Sequence, residues 1–384
     1  MKLMWLFLLS ALLVSAVCLP MVYIYHEVKD AAFKEDFFFG VSFGLDTASE
    51  AKLLVDKVKG YTNLFVVNSW DISTNETALN EICEYAVDSN MNIMVYFDFI
   101  AYLGYPWLRP WLDTVKERWG NKFLGIYLYD EPGGRQIDEG QWSRGERTKK
   151  IFEDVSDYSD AADRFVTDIH SSFSMQLAEN CSIPVFTSDY ALYWFDYLAG
   201  YDAVFTELGW NHSRIQQIAL CRGAARMQGK QWGAIITWTY RSQPYLESGT
   251  EMLRDMTMAY RAGAQYVIVF NYPKINPYGI LTEEHFAVMK KFWNQIQSFP
   301  RRLFGEVEGQ VAFALPEDYG WGMRNLDDKI WGFWPPDDLS PLIWNNMNEL
   351  IKRYDLKLDI IYSDARFKFK EEYSKIYFWN STIN

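Results

Sequence analysis

The most restrictive feature of the 384-residue chain is a regular alternation of short apolar runs with segments of helical spacing. The segments with helical periodicity include Ala51–Lys59, Ala78–Ser89 and Met252–Ala262. Eight apolar runs of strand length precede residue 290: Phe37–Phe43, Leu64–Asn68, Ile93–Phe97, Phe123–Tyr129, Pro184–Thr187, Ala203–Thr206, Gly233–Trp238 and Tyr266–Phe270. Continuous apolar strands separated by helices are typical of a parallel sheet with a covered outer face. Eight such units predict an α/β fold, the closed (β/α)8 TIM barrel, over residues 37–299.

An open, doubly wound sheet is the alternative arrangement for alternating strands and helices. That fold usually carries a glycine-rich phosphate loop directly after its first strand. The corresponding segment here is Gly40-Val41-Ser42-Phe43-Gly44, which lacks that pattern. We therefore expect the closed barrel.

A second unit is predicted over residues 300–384, after the boundary Ser298–Arg302. Its predicted elements are a strand Val311–Leu315, a helix Pro341–Tyr354, a strand Leu358–Tyr362 and a last strand near Lys375–Trp379. A tryptophan-rich insert lies between the first strand and the helix. This pattern predicts a small α/β C-terminal domain packed against the barrel.

The N-terminal segment has the composition of a membrane anchor. Leu3–Tyr25 contains no charged residue, and a helix of that length, at about 1.5 Å per residue, spans about 30 Å of hydrocarbon. Ser15–Cys18 is a poor cleavage site, so residues 1–25 favour an uncleaved anchor over a cleaved signal, with residues 26–36 as a stalk. Both alternatives place the body outside the cytoplasm, and the favoured anchor also keeps it in membrane contact through the N-terminal helix. Four glycosylation sequons agree with export: Asn75, Asn180, Asn211 and Asn380.

Charge and residue counts exclude several classes of partner. The net charge of −13 would repel a nucleic acid. The chain has four histidines and four cysteines, which are widely spaced, so we predict no metal site and no cofactor. Cys18 lies in the predicted anchor, so Cys83, Cys181 and Cys221 allow at most one intrachain disulfide.

Acidic and aromatic residues recur where the predicted strands end, and in a (β/α)8 barrel those ends form the active site. They are Asp98 on the third strand, Asp130-Glu131 on the fourth, Ser188-Asp189 on the fifth, Glu207 on the sixth, Thr239-Tyr240-Arg241 on the seventh and Asn271-Tyr272 on the eighth.

The fourth of these strands carries a family resemblance. Gly125–Gly134 contains Asp130-Glu131-Pro132, which resembles the Asn-Glu-Pro acid/base motif of retaining (β/α)8 glycoside hydrolases, with Asp130 in place of the asparagine. Adjacent Asp-Glu also resembles substrate-assisted hexosaminidases, in which the Glu protonates the leaving group and the Asp orients an acetamido nucleophile. The C-terminal unit is similar to the small α/β domain that follows the barrel in some β-galactosidase-like enzymes. The resemblance implies a carbohydrate substrate and an acid role for Glu131.

Glycosidic cleavage needs one protonated and one ionised carboxyl group. The partly apolar setting of Glu131, between Tyr129 and Pro132, is expected to raise its pKa and suits the acid role. Glu207 is the first choice for the nucleophile or base. Carboxylates two strands apart stand roughly 5–10 Å from each other, a range that includes both retaining and inverting separations.

The second carboxylate has alternatives. The Asn-Glu-Pro family places its nucleophile on the seventh strand, where this chain has Trp238, and Glu247 in the next loop is a fallback. Asp98 and Asp189 are candidates for hydroxyl binding or for the second carboxylate, with a buried structural role as the alternative.

Aromatic residues near the strand ends are candidate sugar-stacking platforms, with core packing as the alternative role. They include Tyr193 and Trp194 as well as the aromatic members of the predicted sugar-binding set. That set consists of Asp98, Asp130, Asp189, Trp210, Trp238, Tyr240, Asn271 and Tyr272.

The sequence thus predicts a glycoside hydrolase that cleaves extracellular or cell-surface glycans with the pair Glu131 and Glu207. The alternative is a non-catalytic, membrane-anchored carbohydrate-binding or cell-envelope protein on a barrel scaffold, since a barrel does not dictate function. The sugar, its linkage, the stereochemical course and the oligomeric state stay open at this point.

Overall fold

The computed structural model describes residues 37–97, 105–140, 154–299 and 301–382. The predicted anchor and stalk, residues 1–36, lie outside these ranges, and so does Asp98. Among the described residues, no helix combines the length and the apolar character needed to cross a bilayer.

Eight parallel strands close into a barrel in sequence order, β1 to β8, with β8 paired to β1. Their bounds are β1 Phe38–Phe43, β2 Leu64–Val67, β3 Asn92–Tyr96, β4 Phe123–Tyr127, β5 Val185–Asp189, β6 Ala203–Leu208, β7 Gln231–Ile236 and β8 Tyr266–Val269. The (β/α)8 prediction is therefore confirmed. Each predicted apolar run overlaps one strand, with ends shifted by a few residues.

Helices cover the outside of the barrel and connect the strands. Within the described residues they are α1 Ala48–Val58, α2 Trp70–Ser73, α3 Glu76–Asp88, α4 Leu108–Trp119, α5 Pro132–Glu139, α6 Tyr158–His170, α7 Phe173–Asn180, α8 Tyr193–Leu198, α9 Arg214–Met227, α10 Gly249–Arg261 and α11 Glu283–Ser298. Local sequence defines where they begin: Thr47 with Glu50 and Ser248 with Glu251 form capping boxes at α1 and α10. Cys83, Cys181 and Cys221 are free thiols.

The strands separate two apolar cores because successive side chains point to opposite faces. Inward-facing residues such as Leu64, Phe205 and Tyr266 fill the barrel interior. Outward-facing residues such as Phe39 and Val267 pack against the helices. The interior is thus a packed core, and open space begins only at the carboxyl ends of the strands.

The C-terminal part forms the small α/β unit that the sequence predicts. It contains α12 Arg301–Phe304, β9 Val311–Leu315, α13 Leu339–Tyr354, β10 Leu358–Tyr362 and β11 Lys375–Phe378, with the three strands parallel in the order β10-β9-β11. The buried Arg222 of α9 donates to Asp359 of β10 at 2.7 Å and to the carbonyl of Leu356 at 2.6 Å. The unit therefore packs directly on a barrel helix.

The tryptophan-rich insert of this unit reaches the helix that follows β4. Trp321 and Trp331 are fully buried, and Gln136 of α5 donates to the Trp331 carbonyl at 2.8 Å. Arg324 contacts Asp138 of the same helix at 2.7 Å. The C-terminal unit thus supports α5, which begins directly after the candidate acid Glu131.

Candidate active site

A cavity of about 250 Å³ lies at the carboxyl ends of the barrel strands. Its lining residues are Ser42, Val66, Asn68, Tyr127, Asp130, Glu131, Ser188, Glu207, Trp210, Ile235, Thr237, Trp238, Ile268, Phe270 and Tyr272. The predicted pair Glu131 and Glu207 lies in it together. Of the predicted sugar-binding set, the cavity also includes Asp130, Trp210, Trp238 and Tyr272.

Glu131 lies on a tight turn between β4 and α5. Tyr129 and Glu131 have φ values of 55° and 56°, in the left-handed region. Each costs a non-glycine residue on the order of 1 kcal/mol. The Glu131 amide donates to the Ser188 carbonyl of β5 at 3.1 Å, and Pro132 begins α5 directly after it. The turn is held by contacts with β5, and it brings the Glu131 carboxyl group to the cavity.

Asp189 anchors this turn from the neighbouring strand. Its carboxylate accepts the amide N–H groups of Gly133 at 2.5 Å and Gly134 at 2.8 Å, in the first turn of α5. It also accepts those of Tyr190 at 2.7 Å and Ala191 at 3.1 Å. A Cβ atom at Gly133 would lie 2.5 Å from the Ala191 carbonyl oxygen. Glycine is therefore required for the helix to approach β5 this closely.

A second buried carboxyl group lies near Asp189. Asp196 of α8 is fully buried, and neither of its carboxyl oxygens has a hydrogen-bond partner in the described structure. Burial and the neighbouring charge of Asp189 raise the pKa of Asp196 well above its usual value. Asp196 is therefore a neutral acid beside Asp189.

Glu207 projects into the cavity from β6 and is oriented by a short chain of hydroxyl groups. Ser188 donates to Glu207 Oε1 at 2.9 Å. The Tyr127 hydroxyl lies 2.6 Å from Ser188 Oγ and 2.8 Å from Asp130 Oδ1. Residues from β4, β5 and β6 thus form one hydrogen-bonded row that ends at Glu207.

The carboxyl groups of Glu131 and Glu207 line the same cavity and perturb each other's pKa. Two buried carboxyl groups that interact in this way do not readily both carry a negative charge. Burial, followed by the charge of Glu207, raises the pKa of Glu131 strongly. Burial and Asp130 raise the pKa of Glu207 less. Glu131 therefore holds its proton more strongly, and Glu207 is the first of the two to ionise as the pH rises.

Asp130 is the third carboxyl group of the cavity. Burial raises its pKa, while the hydrogen bond from Tyr127 and the charge of Arg135 act in the opposite direction. Asp130 also raises the pKa values of both Glu131 and Glu207. Asp130 therefore lies beside Glu131 and Glu207 and makes both of them harder to ionise.

An aromatic wall closes one side of the cavity. The rings of Trp210 and Trp238 meet edge to face at 6.1 Å, and Trp238 Nε1 donates to the Tyr272 carbonyl at 2.6 Å. Tyr272 lines the cavity while 46% of its surface stays exposed. An exposed ring at a cavity rim offers a flat surface for stacking against a sugar.

Other predicted sugar ligands have structural contacts instead. Asp189 is fully buried behind the cavity wall and accepts four backbone amides. The amide of Asn271 is used within its own loop: it donates to the Tyr278 carbonyl at 2.7 Å and accepts from the Ile280 amide at 2.9 Å. Tyr240 is exposed outside the lining residues. The structure therefore does not bring these three side chains to the cavity.

The remaining candidates lie in the protein interior. Tyr193 is buried, with its hydroxyl 2.8 Å from Thr206 Oγ1, and Trp194 packs edge to face on Phe367. Glu247, the fallback carboxylate, pairs with Arg214 at 3.1 Å and is not a lining residue. Tyr193 and Trp194 therefore have a packing role in the core instead of the role of sugar-stacking platforms.

Sequence reasoning missed the roles of Ser188 and Tyr127. Ser188 and Asp189 are consecutive in β5, so they cannot both face the cavity. The inward set of β5 includes Phe186, and the period of two therefore assigns Ser188 to the cavity. This alternation of side chains could have distinguished Ser188 from Asp189 from the sequence alone.

The described lining residues include three carboxyl groups and no lysine or arginine. In the described ranges, no group of histidine, cysteine, aspartate and glutamate side chains is arranged to hold a metal ion. The chemistry that these residues offer is proton transfer and nucleophilic attack by a carboxylate.

Comparisons with known proteins extend this description. The structure is similar to that of the β-galactosidase from the psychrophilic Marinomonas ef1, with a TM-score of 0.56, 12% identity and coverage of 89% of this chain and 72% of the enzyme. It is also similar to α-L-fucosidase isoenzyme 2 from Paenibacillus thiaminolyticus, with a TM-score of 0.53, 11% identity and coverage of 88% of this chain. The match covers 59% of the fucosidase, so this chain spans less than two thirds of that protein.

No protein-family model matches the sequence, and no curated protein matches it significantly. At 11–12% identity, the structural likeness shows a shared fold. The barrel helices end at Ser298, so coverage of 89% includes part of the C-terminal unit. The barrel and its C-terminal extension together are therefore an arrangement found in solved structures of glycoside hydrolases.

Proposed function

We propose that the protein is a glycoside hydrolase in which Glu131 is the general acid and Glu207 is the ionised partner. The observation that carries this proposal is the placement of the buried Glu131 and Glu207 carboxyl groups in one cavity at the barrel mouth, with unequally raised pKa values. Glycosidic cleavage requires one protonated and one ionised carboxyl group on the same site. The structural likeness to a β-galactosidase and a fucosidase supports the same class of reaction.

The close approach of the two groups favours a retaining course. Retaining enzymes place their carboxyl groups about 5–5.5 Å apart, whereas inverting enzymes leave about 6.5–9.5 Å for a water molecule. Glu131 and Glu207 line one cavity and interact closely enough to perturb each other's pKa, which supports the shorter separation. We therefore assign Glu207 as the nucleophile.

The reaction then proceeds in two balanced steps. Glu131 donates its proton to the glycosidic oxygen as the bond to the anomeric carbon breaks, and the Glu207 carboxylate attacks that carbon to form a glycosyl ester. Glu131, now ionised, takes a proton from water, whose oxygen attacks the same carbon and releases Glu207. Ser188 orients the Glu207 carboxylate for the first attack through its 2.9 Å hydrogen bond.

We further propose that the substrate is an extracellular or cell-surface glycan. This part of the proposal rests on the uncharged segment Leu3–Tyr25, which lies outside the described residues, and on the four sequons. Accessibility of a C-terminal tag to a protease added outside intact cells tests it directly. Protection of that tag until the cells are lysed would contradict it.

The activity is tested by screening the detergent-solubilised full chain against matched α- and β-linked aryl glycosides and oligosaccharides. We expect Glu131→Gln and Glu207→Gln each to lower turnover by about 10²–10⁴-fold. The control Glu349→Gln, on an exposed position of α13, should leave turnover within about twofold of the parent. Turnover that survives in both cavity variants would overturn the proposal.

A carbohydrate-binding protein without activity is the second candidate. It is favoured by one observation: β7 offers Thr237 and Trp238 to the cavity, where the Asn-Glu-Pro family carries its nucleophile. A parent protein that binds glycans and hydrolyses none of the panel would establish this reading.

A further inference from the structure

The floor of the cavity is apolar. Val66, Ile235 and Ile268 belong to the core cluster inside the barrel and also line the cavity. Phe270 packs against the same cluster and lines the cavity above it. Three aliphatic side chains from β2, β7 and β8 and the phenylalanine ring thus line the cavity from one core cluster. We call this set the apolar floor.

The apolar floor lies beside the proposed nucleophile. Glu207 pairs in register with Ile235 on β7, and Ile235 pairs with Ile268 on β8. Neighbouring strands are about 4.8 Å apart. A sugar whose anomeric carbon is in reach of Glu207 therefore places one of the substituents close to that carbon against the apolar floor.

This contact discriminates between substituents of similar size. A hydroxyl group that loses its hydrogen bonds to water against an aliphatic surface costs roughly 1–3 kcal/mol. A methyl group in the same place gains about 0.8 kcal/mol for the carbon that is buried. The polar lining residues Ser42, Asn68 and Thr237 offer hydrogen bonds elsewhere in the cavity.

The charge of the site imposes a second condition. Asp130, Glu131 and Glu207 lie together, and the described lining includes no lysine or arginine to balance an added anion. A carboxylate or sulfate on the bound sugar would therefore meet like charges in a partly desolvated space.

We infer that the sugar bound next to Glu207 is neutral and carries a methyl group, as 6-deoxy and N-acetylated sugars do. This inference rests on the proposed function, which it deepens by naming the class of substrate. In both kinds of sugar, a methyl group packs against the apolar floor. Because they differ in where the methyl group is attached, separate substrate pairs distinguish them.

The test compares matched pairs of aryl glycosides with the full-length protein in detergent. One series pairs each 6-deoxyhexoside with its 6-hydroxy parent, and a second pairs each N-acetylhexosaminide with its free amine. A third series contains uronides. We expect kcat/KM to favour the methyl-bearing member of one series by about 10-fold or more, with no turnover of uronides.

A variant tests whether the apolar floor determines the preference for methyl-bearing sugars. Ile268→Thr replaces a methyl-bearing branch by a hydroxyl and should lower the preference by about 10-fold. Val267→Thr is the matched control, because Val267 is adjacent in β8 but packs on the outer face of the barrel. The control costs stability, measured as Tm, and should leave the preference unchanged.

The outcomes separate the two proposals. Turnover that depends on Glu131 but favours the hydroxylated members, or uronides, would overturn the inference and leave the proposed function standing. If no glycoside is hydrolysed, the proposed function fails, and the same pairs of free sugars are compared by saturation-transfer NMR. Equal binding of both members in that comparison would overturn the inference as well.

Discussion

Glu131 and Glu207 bring two buried carboxyl groups into the same cavity at the barrel mouth, although the first follows β4 and the second belongs to β6. Burial makes a second negative charge costly, so the pair retains a proton more strongly than separate carboxyl groups would. The group that holds it, Glu131, is more strongly perturbed than its partner. Two chemically similar side chains are thereby given opposite roles by their surroundings.

The pH dependence of activity follows from the same pair. Activity requires an ionised Glu207, and burial together with Asp130 raises the pKa of that group to about 8. The acidic limb of kcat/KM should therefore lie well above pH 4.5, and Asp130→Asn should move it to lower pH because a like charge is removed. The measurement is a pH profile of both proteins. A limb near pH 4.5 that does not move in the variant would contradict the assignment.

Stability should also respond to pH through Glu207. Because folding raises its pKa, the folded protein binds more protons than the unfolded chain above the unfolded value of about 4.3. The stabilising contribution of the protonated group is complete below that value and is lost as the pH rises toward about 8. Glu207→Gln removes this loss, so its Tm should exceed that of the parent by about 2 °C or more at pH 8.

The same comparison at pH 5 should show little or no gain for Glu207→Gln, because the parent carboxyl group is then protonated as well. Calorimetry at both pH values measures the difference, with Glu349→Gln as a control on the exposed surface. A gain of equal size at both values would point to packing rather than to buried charge.

Two neighbouring aspartates should respond to the same substitution with losses of stability that differ in size. Asp189→Asn turns an amide toward backbone N–H groups that now donate to a carboxylate. We expect a loss of about 2–4 kcal/mol in the free energy of unfolding, together with a loss of activity, as the Glu131 turn is released. Asp196→Asn replaces a neutral acid by a neutral amide of similar size and should cost less than about 1 kcal/mol. Urea denaturation of both variants measures this, and equal destabilisation would refute the neutral state of Asp196.

Tyr272 and Tyr240 provide a matched pair at the rim. They are exposed to nearly the same degree, 46% and 47%, but only Tyr272 lines the cavity. Tyr272→Ala should raise KM for aryl monoglycosides by about 10-fold through lost stacking, with kcat less affected. Tyr240→Ala should stay within about twofold on the same substrates. If the two changes had equal effects on KM, the sugar-binding surface would have to include Tyr240 in the loop after β7, and the prediction would be wrong.

The fold was predictable because its signal is repeated along the chain. Eight apolar runs alternate with helical segments, and an error in one boundary leaves the count unchanged. The run Gly233–Trp238 shows such an error: the strand begins at Gln231, and Thr237 and Trp238 lie beyond its end at Ile236. The C-terminal strands Val311–Leu315 and Leu358–Tyr362 have the bounds that the apolar pattern predicts.

Parts of the site were not predictable because they depend on partners distant in sequence. Glu247 is drawn into an ion pair by Arg214, and Asn271 is held by a loop carbonyl at Tyr278. Neither the spacing nor the residue type of Arg214 or Tyr278 identifies it in the sequence as the partner of Glu247 or Asn271. Ser188 and Asp189 differ in this respect, because strand alternation alone assigns one to the cavity and the other to the opposite face.

The most direct test of the central claim is the dependence of each variant on the leaving group. A general acid matters most when the departing oxygen is basic. We predict that Glu131→Gln retains most of the parent activity on a 2,4-dinitrophenyl glycoside and loses it on the matched alkyl glycoside. Glu207→Gln should lose activity on both, since the nucleophile is needed for either substrate. Equal losses of Glu131→Gln on the two substrates, or dinitrophenyl activity retained by Glu207→Gln, would contradict the assignment of acid and nucleophile.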